Sequence, residues 1–397
     1  MPASPQPPSR FIGLMSGTSI DAVDGVLLEI ADTAPPMQRA AAAPCRTLAF
    51  ASRPFDAGLR AELEALQAPG TDELARAAIA ANRLSDLYAG LTADLLRQAG
   101  LAPADIAAVG AHGQTVRHRP ELGYTLQLLN APRLAERCGI AVVSDLRSAD
   151  VAAGGQGAPL VPAFHAQVFG DALERRAIVN IGGIANLTVL PAGAESVVGY
   201  DTGPGNTLLD AWCRRHTGAV FDRDGAWARQ GRVDAALLAA CLADAYFARP
   251  APKSTGRDHF HPGWLQAALD RAAPAARPED VQATLLELTA ATIAQACRSA
   301  AAQRIFVCGG GVNNRWLMER LAQMLAPVPV GSTAELGIDP QAVEASAFAW
   351  LAARRIRRQA GNLPSVTGAA GPRVLGALSE APEAPEPEAP GAAGIRP

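Results

Sequence analysis

Lysine is nearly absent from this chain: of 35 basic residues only Lys253 is one, and arginine supplies the rest. A lone compact ammonium in such a background points either to contact with a single phosphate oxygen, which arginine's planar fork does not copy, or to chance survival. No Lys/Arg-rich stripe accompanies the net charge of −3, which excludes the footprint of a nucleic-acid binder. None of the six cysteines stands in CxxC spacing, so neither a zinc site nor a disulfide framework is expected. No run of 18 apolar residues occurs, and residues 1–9 contain no apolar signal core. Membrane partners are therefore not expected, and the expected compartment is the cytoplasm. Two nucleotide fingerprints are also missing: neither GxxxxGK(S/T) nor GxGxxG is complete anywhere. Phosphate binding, if present, has to come from other glycine turns.

What is present is a long chain with 49% hydrophobic residues, enough for two cores with a cleft between them. Both ends are low-complexity, Pro-rich before Arg10 and Pro/Glu/Ala-rich from Ser379, and read as disordered tails over 1–9 and 379–397. Between them, short apolar or β-branched runs alternate with long helical patterns, which is the signature of an α/β fold. Strands are expected at Phe11–Met15, Val23–Ile30, Ile106–Ala111, Thr125–Leu129, Ala141–Val143, Ala177–Ile181, Ala185–Leu190 and Ile305–Cys308. Long helices are expected at Thr71–Gln98, Gly205–His216, Val281–Ala302, Arg315–Leu325 and Pro340–Arg358, with Asp72 and Asp339 as N-terminal caps. A strand, glycine turn, strand device occurs at Phe11–Ile30 and again at Ala177–Leu190. The repeat predicts a duplicated α/β unit, with domains over 10–168 and 169–378 and equivalent loops facing across a cleft.

The turn Ser16-Gly17-Thr18-Ser19 offers backbone N–H groups and hydroxyls suited to an anionic phosphate. Asp21 and Asp24 follow at once, and carboxylates beside a phosphate cradle make sense when Mg²⁺ sits between them. Gly182-Gly183, followed by Asn186, reads the same way. Gly309-Gly310-Gly311 would let a flat nucleoside lie on bare backbone at the start of a helix. Each of these is equally an ordinary turn when taken alone. Asp201, at a strand tip in Asp201-Thr-Gly-Pro-Gly-Asn206, can project into a cleft as a general base, or it can simply cap the next helix. His112-Gly-Gln114-Thr115, Arg147, Lys253 to Arg257 and Glu344 place hydrogen-bonding groups where a sugar or carboxylate would be recognised.

Taken in order, the segments Gly13–Asp24, His112–Thr115, Gly154–Leu160, Asn180–Gly183, Asp201–Asn206 and Cys308–Gly311 closely resemble the 1,6-anhydro-N-acetylmuramic acid kinase family. The resemblance runs from about Phe11 to Leu378. It implies two RNase H-like domains of the actin and sugar-kinase type, with mixed sheets flanked by helices and an interdomain cleft for ATP and substrate, and a homodimer. It further implies that Gly17, Thr18, Ser19, Asp21 and Asp24 match the family's ATP loop; with them, on the reading of the residues themselves, Gly182, Gly183, Asn186, Gly309, Gly310, Gly311 and Lys253 are expected to serve ATP and Mg²⁺, the metal held through Asp21 or Asp24. Asp201 matches the family's base, Glu344 an acid that binds the sugar, and Gln114, Thr115 and Arg147 further substrate contacts. In the implied reaction Asp201 activates water against the anomeric carbon while the freed 6-oxygen takes the γ-phosphoryl group. Two departures stand out: Ala22 where glycine is common, and Ser148-Ala149 where further arginines are expected. The rival readings are a kinase for another sugar, and a non-catalytic sugar-sensing regulator on the same fold.

Overall fold

The computed structural model describes residues 9–17, 20–31, 45–193, 196–251 and 253–382. The first half supplies β1 (Ser9–Ser16), β2 (Ala22–Ile30), β3 (Cys45–Pro54), β4 (Ala108–Ala111), β5 (Gln114–Arg119), β6 (Tyr124–Leu128) and β7 (Val142–Ser144). The second supplies β8 (Arg176–Ile181), β9 (Ile184–Leu190), β10 (Val198–Pro204), β11 (Arg304–Cys308) and β12 (Val330–Ser332), and β13 (Ala377–Ser379) comes last. One sheet runs β13-β7-β4-β1-β2-β3, the other β10-β9-β8-β11-β12, while β5 and β6 form a separate hairpin. In both sheets the first strand (β1 or β8) opens an antiparallel three-strand meander on one side and is followed by two parallel strands on the other. The echo heard in the sequence is therefore a duplication of the whole RNase H-like unit.

Helices cover both faces of each sheet, which is why β1 and β8 are buried along most of their length. Glu73–Ala99 seals the outer face of the first sheet with Leu84, Tyr88, Leu91 and Leu95. Pro278–Ser299 does the same for the second. A third core lies between the sheets, where helices Val161–Phe169 and Val343–Ile356 pack with Phe11, Ile178 and Phe306. The helix Val343–Ile356 crosses the first sheet at backbone contact: a Cβ on Gly13 would stand 1.9 Å from the Ala345 carbonyl oxygen, and one on Gly110 2.0 Å from that of Phe348. Only glycine permits that seat. This helix is thus set against β1 and β4, and β13 joins the same sheet through β7.

Where the sequence reading differs, the causes are local. β3 and β12 are edge strands and β5 belongs to an exposed hairpin, so none carries the buried apolar run that marks β1 or β8. Asp72 does not cap its helix: it sits in the left-handed region at φ 53° and makes no side-chain cap bond. Asp339 takes the Gln341 N–H in a turn at 2.8 Å instead, and the helix starts only at Val343. Ser379, expected in a tail, is the last residue of β13, while residues 1–8 and 383–397 lie outside the described residues. Among the described residues no helix is long and apolar enough to cross a membrane.

Candidate active site

Strand register builds the site. Asn180 on β8 lies opposite Asn186 on β9, and Asn186 opposite Asp201 on β10, so three polar side chains stand in a row across adjacent strands. They open on a cavity of about 570 Å³ whose lining also includes Glu344, His118 and Gln156. A register shift in β10 between Asp201 and Gly203 turns the strand at the row's end, as bulges beside functional sites do.

Asp201 is held firmly. Its Oδ2 accepts from the Ser254 hydroxyl at 3.0 Å and the Thr255 N–H at 2.9 Å, while among the described residues no donor reaches Oδ1. Its backbone N–H donates to the Lys253 carbonyl at 3.0 Å, and its own carbonyl accepts from the Tyr246 hydroxyl at 2.6 Å. Burial pushes its carboxyl above the usual range, against the pull of the two hydrogen bonds. Asp201 does not cap the following helix. Glu344, in the first turn of its helix, opens on the cavity yet is walled by protein, and no hydrogen bond or ion pair to its carboxyl occurs among the described residues. Burial raises its pKa, the Asp24 charge raises it further, and Arg147 opposes both.

The expected substrate contacts have other duties. Arg147 donates through Nη1 to the Gly157 carbonyl at 2.7 Å and through Nη2 to His112 Nε2 at 2.9 Å. His112 stays neutral, its pKa pushed down to about 3 by burial and by Arg147, and its other ring nitrogen meets the Ser16 carbonyl at 3.1 Å. Gln114 donates to the Gly17 carbonyl at 3.2 Å while its buried Oε1 has no partner among the described residues, and the Thr115 hydroxyl accepts from Gln127 at 3.3 Å. His112, held by Arg147, and Gln114 brace the end of β1. Ser148, standing where arginine was expected, donates to Asp145 at 2.5 Å as a short helix opens.

At the first glycine turn, Thr18 and Ser19 lie outside the described residues. The Ser16 hydroxyl is not a free donor, because it donates to the Gly113 carbonyl at 2.9 Å beside Tyr88. Gly182 and Gly183 form a two-residue turn whose carbonyls accept from the N–H groups of Gly205, Asn206 and Thr207. Over this turn lies Arg257, with Nη2 3.2 Å from where a Gly183 Cβ would be. A second cavity of about 500 Å³ lies beyond, lined among others by Asn206, Asp210, Asp222, Gly310 and Asn313. Of the three glycines only Gly310 opens on it: a Cβ on Gly309 would meet Asn180 and one on Gly311 would meet Ile181, both at 2.3 Å. Burial pushes Asp210 up to about 6. Lys253 points inward, donating to the carbonyls of Tyr246 and Phe247 at 3.1 Å each, so its ammonium is already occupied.

A divalent cation fits the carboxylates of β2 and the turn before it. Asp24 is held above its usual pKa by burial, a cost that a cation would relieve. Asp21 is exposed and lies 3.3 Å from Arg60. Among the described residues no group of three metal-ligating side chains stands together, as suits a metal bound mainly through phosphates and water. The sequence reading passed over Asp210 and His118, and took Asn180, Gln156 and Arg257 only as members of polar loops without a role of their own. Register against Asp201 would have found Asn180; the others converge only in three dimensions.

A profile of the family described as anhydro-N-acetylmuramic acid kinase matches residues 9–381. An anhydro-N-acetylmuramic acid kinase from Cupriavidus pinatubonensis is 54% identical over 376 residues, covering 93% of this chain and 98% of the relative. One from Bordetella parapertussis is 55% identical over 382 residues, covering 95% and 97%. Solved structures match loosely; a ROK family glucokinase from Streptomyces griseus in complex with glucose and AMPPNP aligns at TM-score 0.37 and 14% identity, over 86% of this chain and 99% of that one. All six motifs lie within the matched span, four of them lining the two cavities, and on the strength of that span and of relatives above half identity, the chain belongs to the anhydro-N-acetylmuramic acid kinase family.

Proposed function

We propose that this protein uses ATP to convert 1,6-anhydro-N-acetylmuramic acid to N-acetylmuramic acid 6-phosphate and ADP, in cell-wall recycling. The observation that carries the reading is Asp201, whose Oδ1 has no donor among the described residues and which lines one cavity of about 570 Å³ together with Glu344. Asp201 takes a proton from water as the water oxygen bonds to the anomeric carbon. The bond from that carbon to the bridging 6-oxygen breaks, and the 6-oxygen displaces ADP from the γ-phosphorus. Its raised pKa suits a base that must hold the proton it removes. Glu344 binds the sugar, and Arg147 with His112, Gln114 and Thr115 fixes the wall around it.

The nucleoside occupies the acidic second cavity, which would repel phosphates, and the triphosphate runs back along Gly182-Gly183 and Asn186 toward Gly17, Thr18 and Ser19. Asp24, with Asp21 through water, would hold Mg²⁺, which neutralises charge on the phosphates when bound. Lys253 serves by positioning the loop that grips Asp201. The same reading makes the protein a cytoplasmic homodimer, supported by exposed Leu122, Tyr124 and Leu126 around the β5–β6 hairpin and checked by sedimentation.

The test is ADP release with anhydro-N-acetylmuramic acid set against a panel of hexoses. Turnover confined to the anhydro sugar is expected, and turnover of hexoses with none of the anhydro sugar would refute the reading. In oxygen-18 water, label at the product's anomeric position separates water attack from direct use of a sugar hydroxyl.

A further inference from the structure

We infer that Arg257 is a catalytic residue whose guanidinium clasps the terminal phosphates of the nucleotide, a role the sequence pattern alone would give to Lys253. The inference rests on the proposed use of ATP. It begins with one loop, Lys253-Ser-Thr-Gly-Arg257, whose two cations face opposite ways. The ammonium turns inward to the Tyr246 and Phe247 carbonyls and lies 4.7 Å over the Tyr246 ring. The guanidinium turns outward, and among the described residues no carboxylate pairs with it and no carbonyl accepts from it. Other arginines of the same unit, Arg176, Arg277 and Arg320, each have a carboxylate within 2.8 Å.

Arg257 is nevertheless not a loose surface residue. Upstream, Ser254 and Thr255 donate to Asp201; downstream, His259 and the fully buried Phe260 donate their N–H groups to the Gly256 carbonyl at 3.2 and 3.0 Å. The loop is therefore clamped on both sides of the residue that carries the free charge. The absent side chain of Gly183 lets the guanidinium settle on the β8–β9 turn, with Nη2 and Nε 3.2 and 3.4 Å from where the Cβ would stand. From there its charge reaches Asp210 at the mouth of the nucleoside cavity. It thus lies between the two cavities, where the phosphates of a nucleotide spanning them must pass.

A planar fork of N–H donors binds phosphate oxygens in pairs, and a cation on the transferring group stabilises charge as the phosphoryl moves. The clamp also ties this cation to the base: the peptide that presents Arg257 supplies the hydrogen bonds that hold Asp201.

The test compares wild type with R257A and R257K, measuring kcat at saturating ATP and the affinities for ATP and for adenosine by titration calorimetry. R257A is expected to lower kcat by about 10²-fold and to weaken ATP while leaving adenosine and the melting temperature unchanged, with R257K recovering only part of the loss. A change of less than about threefold in both kcat and ATP affinity, or an equal weakening of ATP and adenosine, overturns the proposal. The binding arms need no sugar. Failure of the wild-type enzyme on the anhydro sugar would therefore count against the substrate reading and leave the Arg257 comparison intact.

Discussion

The two sheets share a strand order, and their equivalent rows of residues show how a duplicated scaffold divides its chemistry. In the second sheet the row Asn180, Asn186, Asp201 puts the carboxylate on the third strand, at the cavity. In the first, the corresponding row is Met15, Asp24, Ser52, with the carboxylate on the middle strand. One unit thus presents an acid to the larger cavity, and the other presents one where the proposed function puts the phosphates. The turns differ as well. Gly182-Gly183 is short and pinned by three N–H groups, whereas the turn after Ser16 contains buried Ile20 at φ 52°, a conformation that costs a β-branched residue energy. The second unit is the firm platform, and strain is stored in the first.

The sharpest way to break this comparison is to neutralise both acids. D201N is expected to lower kcat by about 10³-fold or more with ATP affinity within a factor of about two, because proton removal is lost while the nucleotide cavities are untouched. D24N should instead raise the Mg²⁺ concentration needed for half-maximal rate by about tenfold and spare kcat at saturating metal. If the two variants behaved alike, the division of labour would be wrong. Next in size is G110A, whose methyl would fall 2.0 Å from the Phe348 carbonyl oxygen. The helix that carries Glu344 must then lift, at a cost of about 3 kcal/mol, read as a fall of roughly 6–10 °C in melting temperature.

Why the duplication was legible and the site only partly so follows from the same residues. The strands that announced themselves, β1 and β8, are buried on both faces and carry continuous apolar runs with glycine turns attached. β3 alternates and lies at an edge, so its pairing is decided by β2 and not by its own sequence. Asp201 was readable because its strand-tip motif is local. Its consolidation by Ser254 and Thr255 was not, since that depends on a loop more than 50 residues away folding back. The same long reach explains Lys253: rarity marked it out, but nothing in the sequence says that its ammonium finds two carbonyls instead of a phosphate.

A smaller effect separates the second cavity from Asp201. Burial sets Asp210 at about 6, above its ordinary 3.8, so the folded protein holds this proton more tightly than the unfolded chain does. The stability gained from the neutral form is complete below about pH 4 and is lost as pH rises through about 6. D210N cannot ionise. It should melt at the same temperature as wild type near pH 4 and a few degrees higher at about pH 7.5, and a gap of equal size at both pH values would show that the carboxyl does not titrate against burial.

The smallest change expected is that of K253R. The ammonium fits between two carbonyls 3.1 Å away and over the Tyr246 ring, and the Tyr246 hydroxyl in turn holds the backbone of Asp201. A planar fork does not fill that place, so the loop that grips the base should loosen slightly. The expected result is a fall in kcat of roughly threefold to tenfold with unchanged ATP affinity, smaller than for D201N and of the same kind. Steady-state kinetics at varied ATP decides the matter. A loss confined to ATP affinity would mean that the ammonium turns outward to the phosphates, as the sequence first suggested, and that the loop's two cations share one task.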